Sequence, residues 1–150
     1  MRAILQRTSQ ASITREGEEL ASQGPGLLIL LGITTHDNQA DIDWLVRKIC
    51  GMRIFEDLDG KMNLSISEIQ GEITVVSQFT LYASCKKGNR PSFLAAAPPE
   101  IAEPLYEVFC TQLGDSLGQP IGRGRFGADM KVSLVNDGPV TISLDTHHRE

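Results

Sequence analysis

Long apolar runs are absent from this sequence of 150 residues. The longest, Leu27 to Leu31, is far shorter than the ~18 apolar residues that a membrane-spanning helix needs. The N-terminal segment also lacks the apolar stretch of a secretory signal peptide, since Gln6 and Arg7 interrupt it after a few residues. We therefore expect no contact with a membrane and a cytoplasmic location.

Cysteine is scarce, and its spacing argues against two further classes of protein. The three cysteines, Cys50, Cys85 and Cys110, are odd in number and include no close pair. Disulfide frameworks and structural zinc sites usually show paired cysteines, so neither is expected. Cys50 and Cys110 fall within helical patterns and are predicted core residues, whereas Cys85 is predicted to be an incidental loop thiol.

Histidine is too rare for the common hydrolase and metal sites. Two of the three histidines, His147 and His148, lie in a terminal tail, Thr146–Glu150, that is predicted to be disordered. Neither G-x-S-x-G nor H-E-x-x-H occurs in the sequence. A Ser-His-Asp triad would have to use His36, which is predicted to be an exposed residue of a strand-to-helix loop. No metal and no organic cofactor are expected, and side-chain acid–base groups would contribute little to any hydrolysis.

The net charge of −5 argues against broad binding to nucleic acid, and no binding to DNA is expected. One stretch has the opposite sign, because Lys86, Lys87 and Arg90 lie between Ala83 and Ala97 without any acidic residue. Two interpretations of this stretch remain open. It is either a solvated loop or a small basic rim that holds phosphates of an RNA end.

The sequence does contain apolar patterns that predict several strands and two helices. Alternating or continuous apolar residues predict strands over Arg2–Thr8, Ser12–Arg15, Glu19–Ser22, Leu27–Ile33 and Glu72–Val76. Apolar residues at three- and four-residue steps predict one helix around Ile42–Met52 and another that begins at Pro98-Pro99, while Phe55–Asn63 is predicted to be a turn. Two helices can cover one face of a sheet, so the other face must pack on a second sheet or on a partner chain. The prediction is one α/β domain over residues 1–150.

Two short polar segments, far apart in the chain, adjoin apolar strands. Ser77-Gln78-Phe79-Thr80-Leu81 follows the strand Glu72–Val76, so polar side chains emerge where that strand leaves the core. Asn136-Asp137-Gly138-Pro139 lies between two alternating runs, Met130–Val135 and Val140–Asp145, and is predicted to be the tight turn of a hairpin. These two segments are the candidates for a functional site.

A third segment, Gly122-Arg123-Gly124-Arg125-Phe126-Gly127, has the spacing of G-x-G-x-x-G in the wrong context. In dinucleotide-binding folds that motif follows a strand and opens a helix, whereas here it follows a predicted helix and precedes a predicted strand. We interpret its glycines as loop-forming residues.

The two candidate segments together resemble the motif pair of the D-aminoacyl-tRNA deacylases, first described as D-tyrosyl-tRNA deacylases. The resemblance extends over nearly the whole chain and includes Arg2–Arg7, Gly88–Phe93 and Phe126–Met130. It implies the fold of that family, which has two packed β-sheet layers with two main helices on one side. It also implies a homodimer with its active sites at the subunit interface.

The resemblance further implies hydrolysis of the ester between a D-amino acid and the 3′-terminal ribose of tRNA. The catalytic segment would be Ser77, Gln78, Phe79 and Thr80. The amides around Phe79 and Thr80 would stabilise the developing oxyanion, and Gln78 would contact the terminal adenosine. The neighbouring ribose hydroxyl of the substrate would assist the attacking water.

Gly138 and Pro139 have the implied role of a chiral filter. In the resembled family this dipeptide is cis and enters the active site of the opposite subunit, where its carbonyls hold the amino group of the substrate and leave no room for an L side chain. Glycine has no side chain, so glycyl-tRNA, notably glycine mischarged on alanine tRNA, is an expected second substrate. The expected partner is the acceptor end of aminoacyl-tRNA.

The residues around these motifs keep more than one interpretation. Phe126 and Met130 either line the pocket or belong to the core, and Arg7 either braces the proline loop or lies on the surface at a strand end. Thr80 is either a nucleophile or a hydrogen-bonding positioner, and the lack of an evident base favours the positioner. Asn136 is a further candidate for pocket support.

Function also keeps alternatives at this stage. Lys86, Lys87 and Arg90 are candidate tRNA contacts in a deacylase, and they would serve equally well in a dimer that binds RNA ends without turnover. A third possibility is an unrelated metal-independent esterase that uses His36.

Overall fold

β-Strands predominate in the computed structural model, which describes residues 1–149. In chain order these residues form β1 (Arg2–Arg15), β2 (Glu18–Gln23), β3 (Gly26–Gly32), α1 (Gln39–Gly51), β4 (Arg53–Glu56), β5 (Met62–Ser65), β6 (Glu72–Ser77), a 3₁₀ turn (Phe79–Tyr82), α2 (Pro99–Leu117), β7 (Gly122–Arg123) and β8 (Lys131–Asp145). Neither helix of this described part is long and apolar enough to cross a membrane.

The long strand β1 organises the main sheet, because other strands pair along both of its edges. β8 runs antiparallel along one edge, from the pair Arg2–Asp145 to the pair Thr14–Lys131. β2 and β3 share the other edge and are also antiparallel to β1. β6 pairs in parallel with β3, and β7 with β6, so that β7 returns towards β2 and the sheet is nearly closed. β4 and β5 form a separate small sheet.

Both faces of the curled sheet bury apolar side chains. The larger cluster joins the sheet to the two helices, and its fully buried members include Leu5, Ile29, Val75, Leu45 and Phe109. A smaller cluster on the opposite face is formed by Ala11, Ile13, Leu28 and Val76. The helices therefore cover one side of the β-structure, which confirms the predicted α/β fold class.

Two predicted segments differ in extent from the observed elements. Arg2–Thr8 and Ser12–Arg15 join into the single strand β1, because β8 continues to pair with it across the residues between them. The turn predicted over Phe55–Asn63 is shorter, since its two ends belong to β4 and β5. Its centre is a true turn, which the Asp57 carboxylate closes by accepting the N–H of Lys61 at 3.0 Å.

The hairpin predicted around Asn136–Pro139 is wrong. The residues on both sides of it belong to one strand, β8, and both halves pair with the same strand, β1. Thr141 pairs with Gln6 and Asn136 pairs with Thr8, so five steps of β8 face two steps of β1. The additional residues of β8 are unpaired and form a large bulge in that strand. A polar turn sequence between two alternating runs is compatible with either structure, and only the pairing partner distinguishes them.

The tail that was predicted to be disordered is ordered in its described part, whereas Glu150 of that prediction lies outside the described residues. The Thr146 N–H donates to the Met1 carbonyl at 2.9 Å. His147 Nε2 lies 2.7 Å from Asp37 Oδ1, and that carboxylate is buried. The tail is ordered because it packs against the first residue of the chain and a buried acid.

Candidate active site

A cavity of about 620 Å³ opens where β6 ends. Three parts of the chain form its walls: the end of β6 with the start of the 3₁₀ turn (Val76–Phe79), the segment that enters α2 (Ala96–Pro99), and the segment that enters β8 (Phe126–Met130). The cavity is mainly apolar, and polar groups enter it at the end of β6. Such a combination is typical of a small-molecule site.

Three residues of the predicted segment, Ser77, Gln78 and Phe79, line this cavity, and Thr80 follows them in the 3₁₀ turn. The Gln78 N–H donates to the Leu31 carbonyl at 2.7 Å, which extends the pairing of β6 with β3 by one residue. The chain then turns sharply into the 3₁₀ turn that begins at Phe79. The first N–H groups of a helical turn have no acceptor within the turn, so the amides of Phe79 and Thr80 are available at this corner.

Gln78 and Thr80 contact each other across this corner. The Gln78 side-chain amide donates to Thr80 Oγ1 at 2.5 Å. The amide group donates a hydrogen bond here and is not a base, so this contact does not activate the hydroxyl as a nucleophile. It instead fixes the position of the hydroxyl at the cavity mouth.

Two exposed aromatic rings stand at the mouth of the cavity. The Phe79 ring is 54% exposed, and it meets the Phe93 ring edge-to-face with centroids 5.1 Å apart. Phe93 is preceded by the loop that carries the exposed residues Lys86, Lys87 and Arg90. Ser84 and Ser92 close the base of this loop through paired backbone hydrogen bonds of 2.8 and 2.9 Å. The basic loop is therefore anchored beside the cavity.

Phe126 and Met130 are half-buried residues of the opposite wall. The Phe126 ring packs against the Tyr106 ring, with centroids 5.9 Å apart. The Met130 sulfur accepts a hydrogen bond from the Arg125 N–H at 3.2 Å. Both residues line the cavity and also contact the core, so the two interpretations offered from the sequence hold together.

Three titratable groups that are buried in the fold stay in their neutral forms. Burial raises the pKa of the Tyr82 phenol and that of the Tyr106 phenol. Burial also raises the pKa of the Cys110 thiol to about 12. These groups are protonated at neutral pH and do not act as bases. His36 is exposed on the turn before α1 and is not part of the cavity walls in residues 1–149, so a triad built on it has no geometric support.

Gly138 and Pro139 lie on the bulge of β8, and the peptide bond between them is cis. Within the part of the chain that the structure describes, neither residue lines the cavity that Ser77–Phe79 help to form. One copy of the chain therefore does not bring its two motifs together.

Arg7 braces this bulge from beneath. Its side chain is 6% exposed, and Nε donates to the Asp137 carbonyl at 3.0 Å. Nη1 donates to the Ile54 carbonyl of β4 at 2.7 Å. The alternative of a surface arginine is wrong, because the guanidinium is buried between the bulge and the small sheet. The bulge and β4 are thus linked through one side chain.

Gly138 and Asn136 fix the shape of the bulge. Gly138 has φ +124°, and a Cβ there would lie 2.9 Å from Arg7 Nη2 and 2.9 Å from Val140 Cγ2. The Asn136 side-chain carbonyl oxygen accepts the Val140 N–H at 3.2 Å, and its amide donates to Gln6 Oε1 at 2.5 Å. Asn136 therefore supports the bulge and not the wall of the cavity.

A group with metal-ligand chemistry is formed by Asp37, Asp41 and His147, whose ligand atoms lie within 4.8 Å of one another. The Met1 ammonium lies 2.5 Å from Asp37 Oδ1, and both groups are fully buried. The ammonium also donates to Thr146 Oγ1 at 2.6 Å. The Met1 ammonium is thus the cation that neutralises this group of residues.

Three parts of the cavity wall have no clear signal in the local sequence. Phe93 and the segment Ala96–Pro99 line it, as does the exposed carboxylate of Asp129. The segment is held beside the end of β3 by the Ala97 N–H, which donates to the carbonyl of Ile33, the residue after that strand, at 2.9 Å. The proline pair that starts α2 is the signal present in the sequence, but by itself it indicates only the start of a helix.

Comparison with known proteins extends these observations. A family model described as D-Tyr-tRNA(Tyr) deacylase matches residues 4–145. A protein of Bacteroides thetaiotaomicron named D-aminoacyl-tRNA deacylase is 60% identical over 150 residues and is covered in full, as is this chain. A protein of the same name from Flavobacterium psychrophilum is 57% identical, again with full coverage of both chains.

Solved structures agree with this similarity. One titled c-Myc DNA Unwinding Element Binding Protein superposes with a TM-score of 0.90 at 44% identity, covering 97% of this chain and 98% of its own. Another, described as a probable eukaryotic D-amino acid tRNA deacylase, has a TM-score of 0.82 at 18% identity and covers 95% of this chain and 97% of its own, which shows the shared fold. With a family model that matches almost its whole length and relatives that match all of it, this chain belongs to the D-Tyr-tRNA(Tyr) deacylase family.

Proposed function

We propose that this chain hydrolyses the ester that joins a D-amino acid to the 3′ end of tRNA and spares the corresponding L-aminoacyl-tRNA. Curated relatives with the name D-aminoacyl-tRNA deacylase support an ester hydrolase. The observation that carries the proposal is the position of Ser77–Phe79 in the cavity wall, with Thr80 bound to Gln78, within a chain of this family. Because aminoacyl-tRNA is used in translation, the proposed site of action is the cytoplasm.

The proposed mechanism uses backbone groups in place of a side-chain base. The N–H groups of Phe79 and Thr80 would stabilise the negative charge that develops on the ester carbonyl oxygen. Loss of one such donor typically costs about 3–4 kcal/mol of transition-state stabilisation. The carboxylate in the cavity wall, Asp129, is paired with Lys131 Nζ at 3.2 Å, and the proposed mechanism leaves proton transfer to water and to the neighbouring ribose hydroxyl of the substrate. Gln78 would contact the terminal adenosine.

Thr80 acts as a positioner in this mechanism, and its replacement tests that role. We expect Thr80→Ala to lose less than about tenfold in kcat, because one neutral hydrogen bond contributes about 1 kcal/mol. The measurement is single-turnover hydrolysis of D-tyrosyl-tRNA, with Thr80→Ser as the matched variant that keeps the hydroxyl. A fall of several orders of magnitude, together with an ester trapped on Thr80 of the wild-type protein, would identify a nucleophile and contradict the proposal.

Chiral selection would come from a second copy of the chain. The Gly138-Pro139 bulge does not line the cavity of its own copy, and it lies on β8, which pairs with β1 alone in residues 1–149. The same strand exposes Leu134 and Val135, at 37% and 48%. Exposed apolar residues on an open strand suit a two-fold interface, in which each copy donates its bulge to the cavity of the other.

The backbone carbonyls of this bulge would hold the substrate ammonium and exclude an L side chain. A filter of this kind does not reject glycine, which has no side chain. We therefore include glycyl-tRNA in the proposed substrate range, notably glycine mischarged on alanine tRNA.

The basic loop would contact the acceptor end of the tRNA. Lys86, Lys87 and Arg90 are exposed on a loop whose base adjoins the cavity mouth. Their charges would pair with phosphates near the ester and contribute affinity that decreases as salt increases. Because the chain as a whole has a net charge of −5, the attraction to phosphates is limited to this loop. A small basic loop suits an RNA end better than duplex DNA.

The test is hydrolysis of D-tyrosyl-tRNA, L-tyrosyl-tRNA and glycyl-tRNA in parallel, each with and without EDTA. We expect the D and glycyl esters to be cleaved and the L ester to survive. Binding of D-tyrosyl-tRNA without turnover would instead support an RNA-end-binding protein, and loss of all cleavage in EDTA would refute a metal-free mechanism.

A further inference from the structure

Gly124 lies behind one wall of the cavity, immediately after β7. Its N–H donates to the Val75 carbonyl of β6 at 3.1 Å, which holds it in place. A Cβ at this position would lie 2.9 Å from Sδ and 3.0 Å from Cε of Met130. The backbone of Gly124 is outside the left-handed region, so its conformation alone does not require glycine. The Met130 thioether instead occupies the space that a Cβ at this position would take.

The Met130 thioether is confined on the sides away from the cavity. The N–H of Arg125, the residue after Gly124, donates a hydrogen bond to the Met130 sulfur. Ile13, whose Cδ1 is 3.7 Å from the same Cβ position on Gly124, is fully buried in the smaller apolar cluster. Met130 lines the cavity with the rest of its surface. Open space for a displaced thioether therefore lies on the cavity side.

We propose that Gly124 sets the width of the substrate cavity by seating the Met130 thioether, and so controls how tightly the substrate is bound. The inference rests on the proposed function, because the substrate in question is the aminoacyl end of tRNA. A methyl group at position 124 displaces the end of a flexible side chain and not the backbone, so the fold is retained while the cavity narrows. Gly124 is a positioning residue that acts through Met130 and does not itself contact the substrate.

The test is a double-mutant cycle with Gly124→Ala, Met130→Ala and the double variant, assayed on D-tyrosyl-tRNA. In the protein that retains Met130, Gly124→Ala should raise KM about tenfold. The displaced thioether narrows the cavity by about as much as one extra methylene group in an apolar pocket would. It should leave kcat within about twofold, as expected for a loss of uniform binding. In the Met130→Ala background the added methyl group meets no thioether, so Gly124→Ala should leave KM unchanged there.

Gly51→Ala is the matched control, because a Cβ at Gly51 meets nothing within 4 Å. A second readout does not depend on activity. The chain has four methionines, so ¹³C-labelled methionine methyl groups give four NMR signals, and the signal that Met130→Ala removes is that of Met130. Gly124→Ala should shift this signal, and Gly51→Ala should not.

The outcomes separate this inference from the proposed function. If the wild type cleaves D-tyrosyl-tRNA and Gly124→Ala leaves KM unchanged, or raises it equally in the wild-type and Met130→Ala backgrounds, the inference is wrong and the function stands. If the wild type cleaves no ester, the function fails, and an unshifted Met130 methyl signal in Gly124→Ala then refutes the seating of the thioether as well. If Gly124→Ala does not fold, Met130→Leu tests the same contact from the other side. The branched end of leucine does not fill the space next to Gly124, so KM should change. An unchanged KM would overturn the inference.

Discussion

Phe79→Pro is expected to lower kcat for D-tyrosyl-tRNA hydrolysis by about 10²–10³, the loss typical of one oxyanion donor. Proline has no backbone N–H, so this substitution removes the proposed donor itself. Phe79 is the first residue of the 3₁₀ turn, a position at which proline is well tolerated. The turn should therefore survive the substitution while its catalytic amide is lost.

Phe79→Ala is the control that separates the amide from the ring. It keeps the N–H and removes the exposed ring that stacks edge-to-face on Phe93. We expect this variant to affect mainly KM, because the ring lies at the cavity mouth. Single-turnover rates at saturating enzyme give the comparison, and circular dichroism checks the fold. Equal rates for the proline and alanine variants would show that the Phe79 amide is not the oxyanion donor.

Gly138→Ala is the second substitution with a large expected effect. It places a Cβ within 2.9 Å of Arg7 Nη2 at a residue with φ +124°, so the bulge must shift. A displacement of about 1 Å at a substrate-holding group costs about 10² in rate, and we expect a loss of that size on D-tyrosyl-tRNA. Gly60→Ala is the matched control, since Gly60 also has a positive φ but a Cβ there meets nothing within 4 Å.

Mixed dimers test whether the bulge acts in the opposite subunit. Phe79→Pro and Gly138→Ala chains, each almost inactive alone, are co-expressed with different affinity tags and purified as mixtures. In a mixed dimer one cavity combines an intact Phe79 amide with an intact Gly138 bulge, so random pairing should restore about a quarter of the wild-type activity. If the bulge serves the cavity of its own chain, the mixture stays inactive.

The parts of the fold that local sequence determines could be predicted. The strand Glu72–Val76 and the polar corner after it follow from a local change from apolar to polar residues, and the structure has β6 and the 3₁₀ turn there. The helix around Ile42–Met52 was predictable for the same reason, because its apolar residues recur along one face.

The parts that depend on distant residues could not be predicted. The partners of Arg7 are the Asp137 and Ile54 carbonyls, 130 and 47 residues away in the chain, so no local pattern indicates that the guanidinium is buried. The bulge has the same origin, since a turn sequence becomes a bulge only when both flanking runs pair with β1. The role of Gly124 also depends on the packing of Met130, which the spacing of glycines does not indicate.

The bulge of β8 also bears on how the chain avoids aggregation. A strand of 15 residues with one unpaired edge is a template for strand addition by other chains, and this edge carries exposed Leu134 and Val135. The bulge interrupts the edge and removes its regular hydrogen-bonding register near the middle, so a foreign strand finds two short ladders and not one long one. The bulge proposed to select the substrate would thus also limit strand addition by other chains at this edge.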